Sequence, residues 1–152
     1  MRQFINPGEI NLPKNGQKSD IIVVSACLAG LNTRYDGMNK GVDWIIDLVK
    51  NGKAIPLCPE VLGGLPIPRP RSTIIGKKVI NEIGEDVTDN FRRGAFIFLE
   101  IVKILSPKTI ILKEGSPSCG LRFTNIMWER KQGTGITARL LTRKNYILKS
   151  ID

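Results

Sequence analysis

Short runs of β-branched and other apolar residues mark the predicted strands of this 152-residue chain. Residues 21–24 read IIVV, residues 54–57 read AIPL and residues 109–112 read TIIL. Brief apolar runs without alternation are typical of strands that are covered on both faces, as in parallel sheets. We therefore predict three buried strands at these positions and a last strand over residues 146–148.

Between these strands, apolar residues recur three and four positions apart, which is the spacing of one helical face. The spacing predicts a helix over 39–51, a second that begins within 86–89 and runs to 105, and a short third over 138–143. Gly52 and Pro107 stand where the first two helices would end. Helices and strands thus alternate along most of the chain.

Alternating strands and helices indicate a parallel sheet with helices on both faces. The predicted fold class is therefore α/β, a small three-layer Rossmann-like or flavodoxin-like arrangement. Residues 63–71 are rich in glycine and proline and predict a loop, and 73–83 predict a small hairpin or an irregular arm. We expect one α/β domain over 20–152. Residues 1–19 would be an N-terminal extension without the apolar core of a secretory signal.

The net charge of +9 comes from 23 basic and 14 acidic residues. This excess is explained either by a solvated basic surface or by a site for an anionic partner such as RNA. The basic residues are spread out, and aromatic residues make up only 6% of the chain, without a base-stacking pattern. Nucleic acid is a partner that we do not favour. No apolar stretch approaches the ~20 residues that span a bilayer, so we expect no membrane partner.

The chain has three cysteines and no histidine. Without histidine, the chain cannot form a Ser-His-Asp or a Cys-His catalytic unit. Three cysteines without a secretory signal argue against a disulfide framework and for a cytoplasmic location.

Each cysteine follows the carboxyl end of a predicted strand. Cys27 comes after IIVVSA, Cys58 after AIPL, and Cys119 after TIIL and the loop KEGSPS. Neighbouring parallel strands lie ~4.8 Å apart, and ligands bind at the carboxyl ends of such strands, so the three thiols can converge on one object. The alternative is that they are small buried hydrophobic residues, as free cysteines often are.

Soft sulfur ligands suit an iron–sulfur cluster or zinc. A structural zinc normally has four protein ligands, and the chain has no fourth cysteine and no histidine. A cubane cluster held by three thiolates would leave one iron open to a substrate atom. An iron–sulfur cluster is therefore the favoured interpretation, with structural zinc as the alternative.

Several polar residues near the cysteines are candidates for catalysis. Glu60 lies two residues after Cys58 and could be a general acid or base, or else a surface carboxylate. Ser116 and Ser118 flank Pro117 and could donate hydrogen bonds to substrate, or else be turn residues.

Two further segments are candidates for substrate binding. Arg34, Tyr35 and Asp36 follow the first cysteine and could line a pocket, although Arg34 and Asp36 could equally form a loop pair. The sequence GTGIT, with Gly135 and Thr137, opens a predicted helix whose free amides could bind an anion. Glycine and threonine are common at helix entries, so this second signal is weak.

Five segments of the chain form a distinctive set: VSACLAGLNTRYDG (24–37), PLCPEVLGGLPIPRP (56–70), GEDVTDNFRRGA (84–95), ILKEGSPSCG (111–120) and GTGITARLL (133–141). Together they resemble one bacterial family, formerly the domain of unknown function 523, which includes thiouracil desulfidases. One departure is the segment 121–132, where the large pair Met127-Trp128 replaces an expected glycine-rich loop and could reshape the pocket.

The resemblance implies a [4Fe-4S] cluster held by Cys27, Cys58 and Cys119. It also implies a non-redox desulfidase that removes sulfur from a thiolated nucleobase such as thiouracil and releases hydrogen sulfide. Glu60, Ser116 and Ser118 match motif positions suited to proton transfer and orientation. The alternative is an iron–sulfur or basic accessory module that binds a partner, RNA among the candidates, without turnover.

Overall fold

The structure is a computed structural model that describes residues 20–152, so the predicted extension over 1–19 lies outside the described residues. The strands are β1 Ile22–Ser25, β2 Ala54–Leu57, β3 Ser72–Ile75, β4 Lys78–Asn81, β5 Thr109–Lys113, β6 Phe123–Ile126, β7 Glu129–Gln132 and β8 Leu148–Ile151. The helices are α1 Asp43–Lys50, α2 Pro59–Leu62, α3 Thr88–Leu105 and α4 Ile136–Thr142, and a 3₁₀ turn covers Ala26–Ala29.

The predicted parallel sheet consists of four strands in the order β2-β1-β5-β8. Val23 of β1 pairs with Ile55 on one side and with Ile110 on the other. β8 pairs in parallel with β5 on its outer side. All four carboxyl ends therefore lie along the same edge of the sheet.

Helices cover both faces of this sheet, which confirms the predicted three-layer α/β class. Val23 and Ile110 pack on one face against α3 and α4, through buried residues such as Phe98 and Leu141. The opposite face is covered by the 3₁₀ turn and α1. Its buried residues are Val24, Ile111, Leu28, Ala54 and Ile45.

The close contact between α2 and α3 depends on glycine. A Cβ atom on Gly94 would lie 1.8 Å from the carbonyl oxygen of Pro59, and one on Gly63 would lie 2.0 Å from that of Asn90. Neither position has room for a side chain. This contact holds α2, and with it Cys58 at the start of the helix, against the long helix α3.

A second sheet, which the sequence did not predict, has the order β4-β3-β6-β7. Two antiparallel hairpins, β3–β4 and β6–β7, meet through the parallel neighbours β3 and β6. The first hairpin agrees with one of the two expectations for 73–83. The second hairpin replaces the loop expected over 121–132. All four residues of β7 are exposed, so this strand lacks the apolar alternation by which a strand is predicted from sequence.

Met127 and Trp128 form the turn of the second hairpin. Their φ angles are 51° and 68°, and positive φ at both central residues is the hallmark of a type I′ turn. Both side chains are largely exposed and lie outside the site described below. Of this segment, Asn125 on β6 and Arg130 on β7 line that site instead.

Other boundaries shift by a few residues. α1 begins at Asp43 instead of 39, because the side chain of Asn39 accepts a hydrogen bond from the amide of Gly41 and forms a turn there. β8 occupies Leu148–Ile151 instead of 146–148, since its register with β5 pairs Leu148 with Ile110. None of the helices in the described part of the chain is long and apolar enough to cross a membrane.

Candidate active site

The three cysteines line one cavity of about 300 Å³ at the carboxyl edge of the parallel sheet. Cys27 lies in the 3₁₀ turn after β1, Cys58 directly follows β2, and Cys119 lies in the loop after β5. The strand order places β1 between β2 and β5. The predicted convergence of the three thiols on one site is what the structure shows.

Local backbone structure holds each cysteine in place. The carbonyl of Cys27 accepts the amides of Gly30 and Lys40, at 3.3 and 3.0 Å. Cys58 caps α2, and its carbonyl accepts the amide of Leu62 at 2.9 Å. The amide of Cys119 donates to Ser116 Oγ at 3.0 Å. The three sulfur atoms are therefore carried by ordered turns.

Burial is the main cause that raises the pKa of all three thiols, most strongly that of Cys119, which is only 5% exposed. Their proximity adds to this effect, because Cys58 raises the pKa of Cys27, and both raise that of Cys119. A bound metal centre would favour the thiolate forms.

The donor set fits an iron–sulfur cluster. Three soft sulfur ligands reach one cavity from three different strand ends, and clusters of this kind are held by cysteine thiolates. Between residues 20 and 152, no group of three or more histidine, cysteine, aspartate or glutamate side chains surrounds a single-ion position. The cysteines instead line a wider cavity.

Glu60 lies in the same cavity, on the first turn of α2. Its Oε1 accepts a hydrogen bond from Arg69 Nε at 3.1 Å, and its Oε2 lies 3.4 Å from Ser116 Oγ, which donates to it. Ser116 Oγ in turn accepts the amides of Ser118 and Cys119. Glu60 and Ser116, two candidates that the sequence offered separately, are therefore in hydrogen-bond contact in this cavity.

Arg69 also lines the cavity, although the sequence marked it only as one of the basic residues. Its side chain is 4% exposed and also donates to the carbonyls of Thr33 at 2.9 Å and Pro66 at 3.2 Å. It thereby ties the loop after Cys27 to α2. The signal in the sequence was its place in the segment PIPRP, next to the cysteine motif.

The structure brings Arg34 and Tyr35 to the cavity but not Asp36. Arg34 Nε lies 3.4 Å from Asp36 Oδ1, so the alternative of a loop pair is what the structure shows for Asp36. Two guanidinium groups lie over the ring of Tyr35, with Arg34 5.4 Å and Arg71 5.9 Å from its centroid. Together they form a cationic wall of the cavity.

Comparisons with known proteins agree with this architecture. The family model described as 2-thiouracil desulfurase matches residues 22–152. This chain belongs to that family. The predicted family is thereby confirmed.

Two relatives in the comparisons extend along most of the chain. A solved structure of the [4Fe-4S]-dependent thiouracil desulfidase TudS is 41% identical, covers 86% of this chain and 89% of its own, and superposes with a TM-score of 0.79. An uncharacterized protein, YbbK of Bacillus subtilis, is 37% identical over 139 residues, which are 83% of this chain and 92% of that protein. The likeness to TudS also confirms the predicted fold class.

Besides Asp36, three predicted site residues do not line the cavity. Ser118 and Thr137 are completely buried, and their hydroxyl oxygens are 2.9 Å apart in a mutual hydrogen bond. Gly135 lies against the same loop, since a Cβ there would be 2.6 Å from the Ser118 carbonyl. These residues dock α4 against the loop that carries Cys119.

The predicted anion site at the start of α4 is not supported by this arrangement. The carbonyl of Pro117 accepts the amide of Ile136, and that of Ser118 accepts the amides of Thr137 and Ala138. Protein carbonyls therefore already occupy the amides that an anion would need. Sequence alone could not reveal this, because the acceptors lie some twenty residues earlier in the chain.

The wall also contains residues that the sequence did not mark as part of a site. Among them are Lys113, Glu114, Asn125 and Arg130. Burial lowers the pKa of Lys113. Burial alone would raise the pKa of Glu114, but hydrogen bonds from the Ser150 side chain and from backbone amides outweigh it and lower that pKa.

Proposed function

We propose that this chain is a [4Fe-4S]-dependent desulfidase that removes sulfur from a thiolated nucleobase such as thiouracil and releases hydrogen sulfide. The observation that carries the proposal is the meeting of three cysteines from three strand ends with Glu60 in one cavity. The predicted activity and cofactor agree with the family description and with the solved thiouracil desulfidase.

Cys27, Cys58 and Cys119 would hold the cluster, as their placement around one cavity supports. A cubane with three protein thiolates has one iron without a protein ligand, and this iron supplies a Lewis-acidic, sulfur-accepting position when the cluster is bound. The buried turns around the cysteines would keep bulk water from the centre.

The overall reaction exchanges sulfur for oxygen at one carbon. Water and the thiocarbonyl base give the carbonyl base and hydrogen sulfide, so no electrons are exchanged and two protons move from water to sulfur. Glu60 is suited to carry one of these protons at Oε2, because Arg69 occupies Oε1. Ser116 orients that oxygen through its hydroxyl group.

The base itself would lie against the wall formed by Tyr35. The guanidinium groups of Arg34 and Arg71, which lie over the Tyr35 ring, favour electron-rich substituents such as a thiocarbonyl sulfur. We assign Ser118, Gly135 and Thr137 to positioning of the Cys119 loop instead of to substrate contact. The reduced thiols that this chemistry requires are consistent with a cytoplasmic location.

The decisive experiment combines metal analysis with turnover. Anaerobically purified protein is expected to be brown, to hold about four iron and four sulfide per chain, and to release sulfide from 2-thiouracil and 4-thiouracil. A colourless protein that cannot be reconstituted would overturn the proposal, and zinc in its place would favour a structural site. RNA binding with a steep salt dependence and no turnover would favour an accessory module.

A further inference from the structure

Asn125 on β6 lines the cavity and has an unusual side chain. Among the buried side-chain nitrogen and oxygen atoms of residues 20–152, its Oδ1 is the one without a hydrogen-bond partner. An unpaired buried acceptor costs free energy, so native proteins retain such a group where a ligand or a function compensates for it. The position of Asn125 in the wall of the site points to a ligand.

The strand that carries Asn125 is hydrogen-bonded to the loop that carries Cys119. Thr124 Oγ1 donates to the carbonyl of Ser116 at 2.8 Å, and the amide of Gly115 donates to the carbonyl of Phe123 at 2.9 Å. The two residues before Asn125 are therefore hydrogen-bonded to the residues just before Cys119. These contacts fix the position of Asn125 relative to Cys119.

The opposite strand of the hairpin is held as well. Arg130 is the cross-strand partner of Asn125, and its guanidinium group pairs with both carboxylate oxygens of Asp152, at 2.6 and 2.8 Å. Arg130 is therefore engaged elsewhere and leaves the amide oxygen of Asn125 without a donor. A molecule in the cavity can supply that donor.

We propose that Asn125 Oδ1 accepts a hydrogen bond from the ring N–H beside the thiocarbonyl carbon of the substrate. This inference rests on the proposed desulfidase function and narrows its substrate class to cyclic thioamides in which that nitrogen carries a hydrogen. Both 2-thiouracil and 4-thiouracil have such an N3–H. A site built around a polar partner rejects analogues that lack the matching group, because its own buried group then stays unpaired.

The test compares 4-thiouracil with its 3-methyl and 1-methyl derivatives. For the wild type, we expect kcat/KM to fall at least about 100-fold on N3 methylation and much less on N1 methylation. Asn125→Ala should lower kcat/KM for 4-thiouracil roughly 10- to 100-fold, with little further loss on N3 methylation. The ratio of kcat/KM for 4-thiouracil to that for its 3-methyl derivative is compared between the wild type and the variant. This comparison cancels any difference in intrinsic reactivity between the two compounds.

Asn125→Asp distinguishes the loss of a hydrogen-bond acceptor from the loss of side-chain volume. Because a carboxylate oxygen still accepts a hydrogen bond, this variant should keep the preference for substrates with an N3–H. Lys131→Ala is the matched control: it lies on β7 of the same hairpin with an exposed side chain, and it should match the wild type. All four proteins should hold equal iron. Loss of the preference in the aspartate variant, or its persistence in the alanine variant, would overturn the role of Asn125.

A binding measurement keeps this inference separate from the proposed function. A wild type that holds iron but releases no sulfide overturns the desulfidase proposal and leaves the hydrogen-bond assignment to be decided by affinity. Titration with uracil and 3-methyluracil should then show tighter binding of uracil to the wild type and equal binding to Asn125→Ala. Equal binding of the two bases to the wild type would overturn the assignment.

Discussion

The two sheets of this protein contribute to the cavity in different ways. The two central strands of the parallel sheet, β1 and β5, are mostly buried, and the turns at the carboxyl edge of this sheet carry the three cysteines. The mixed sheet is largely exposed at β7, and its strands supply wall residues such as Ser72, Asn125 and Arg130. The core thus positions the three cysteines proposed as cluster ligands, whereas the peripheral sheet forms the wall proposed to contact the substrate. Substitutions at the carboxyl edge of the parallel sheet should remove the cluster. Substitutions in the mixed sheet should alter which substrates the protein accepts.

The largest effect is expected from the parallel sheet. Cys119→Ser replaces the most buried of the three proposed sulfur ligands with a poor ligand for iron. Iron content should fall to background, and sulfide release should become undetectable. Metal analysis of anaerobically prepared protein checks the first point, with Lys131→Ala as a control for handling losses. A Cys119→Ser protein with a full complement of iron would contradict the assignment.

Glu60→Gln, at the edge of the same sheet, should separate chemistry from cluster binding. The amide keeps the shape of the side chain but cannot take a proton, so we expect kcat to fall roughly 10²- to 10³-fold. Iron content and the absorption spectrum should stay at wild-type values, because Glu60 is not one of the sulfur ligands. If turnover proceeds at the normal rate, Glu60 has no role in proton transfer.

Arg69→Met tests the connection between the cysteine loops and α2. It removes the partner of Glu60 and leaves the carbonyls of Thr33 and Pro66 without a donor. Breaking such a buried pair should lower the free energy of unfolding by about 3–5 kcal/mol. Denaturant unfolding measures the loss. Arg122→Met is a matched control, since its exposed side chain should cost less than about 1 kcal/mol.

The smallest effect is expected at the tip of the mixed sheet. Replacing Met127-Trp128 with Asn-Gly would place residues suited to positive φ in the type I′ turn. We expect the free energy of unfolding to rise by about 1 kcal/mol, since left-handed backbone is strained for other residues. Desulfidase activity should be unchanged because neither side chain reaches the cavity. A drop in activity would mean that the turn, and not only its strands, shapes the site.

The sequence was most informative where burial dictates the pattern. The apolar runs at β1, β2 and β5 could be predicted because strands covered on both faces need uninterrupted apolar residues. Their carboxyl ends then located Cys27, Cys58 and Cys119 by a general property of parallel sheets. Glu60 followed from its place beside Cys58. The family motifs added the cofactor and the class of substrate, which placement alone leaves open.

The sequence was least informative where exposed or irregular segments meet across long separations. β7 is exposed throughout, so no periodicity marked the second hairpin. The burial of Arg69 depends on carbonyls of Thr33 and Pro66 that only the folded loops bring to it. Ser118 and Thr137 looked polar and available, yet they bond to each other inside the protein.

By itself, then, the sequence determined the parallel sheet and the three strand ends at which the sulfur atoms meet, because hydrophobic burial leaves a local record in the order of residues. Only the tertiary structure decided which polar residues face the cavity. In the folded protein, Ser118 and Thr137 are buried and hydrogen-bonded to each other. Arg69 is hydrogen-bonded to Glu60, and Asn125 lines the cavity. Hydrogen-bond partners for polar groups come from distant parts of the chain, and their choice is made only when the layers pack.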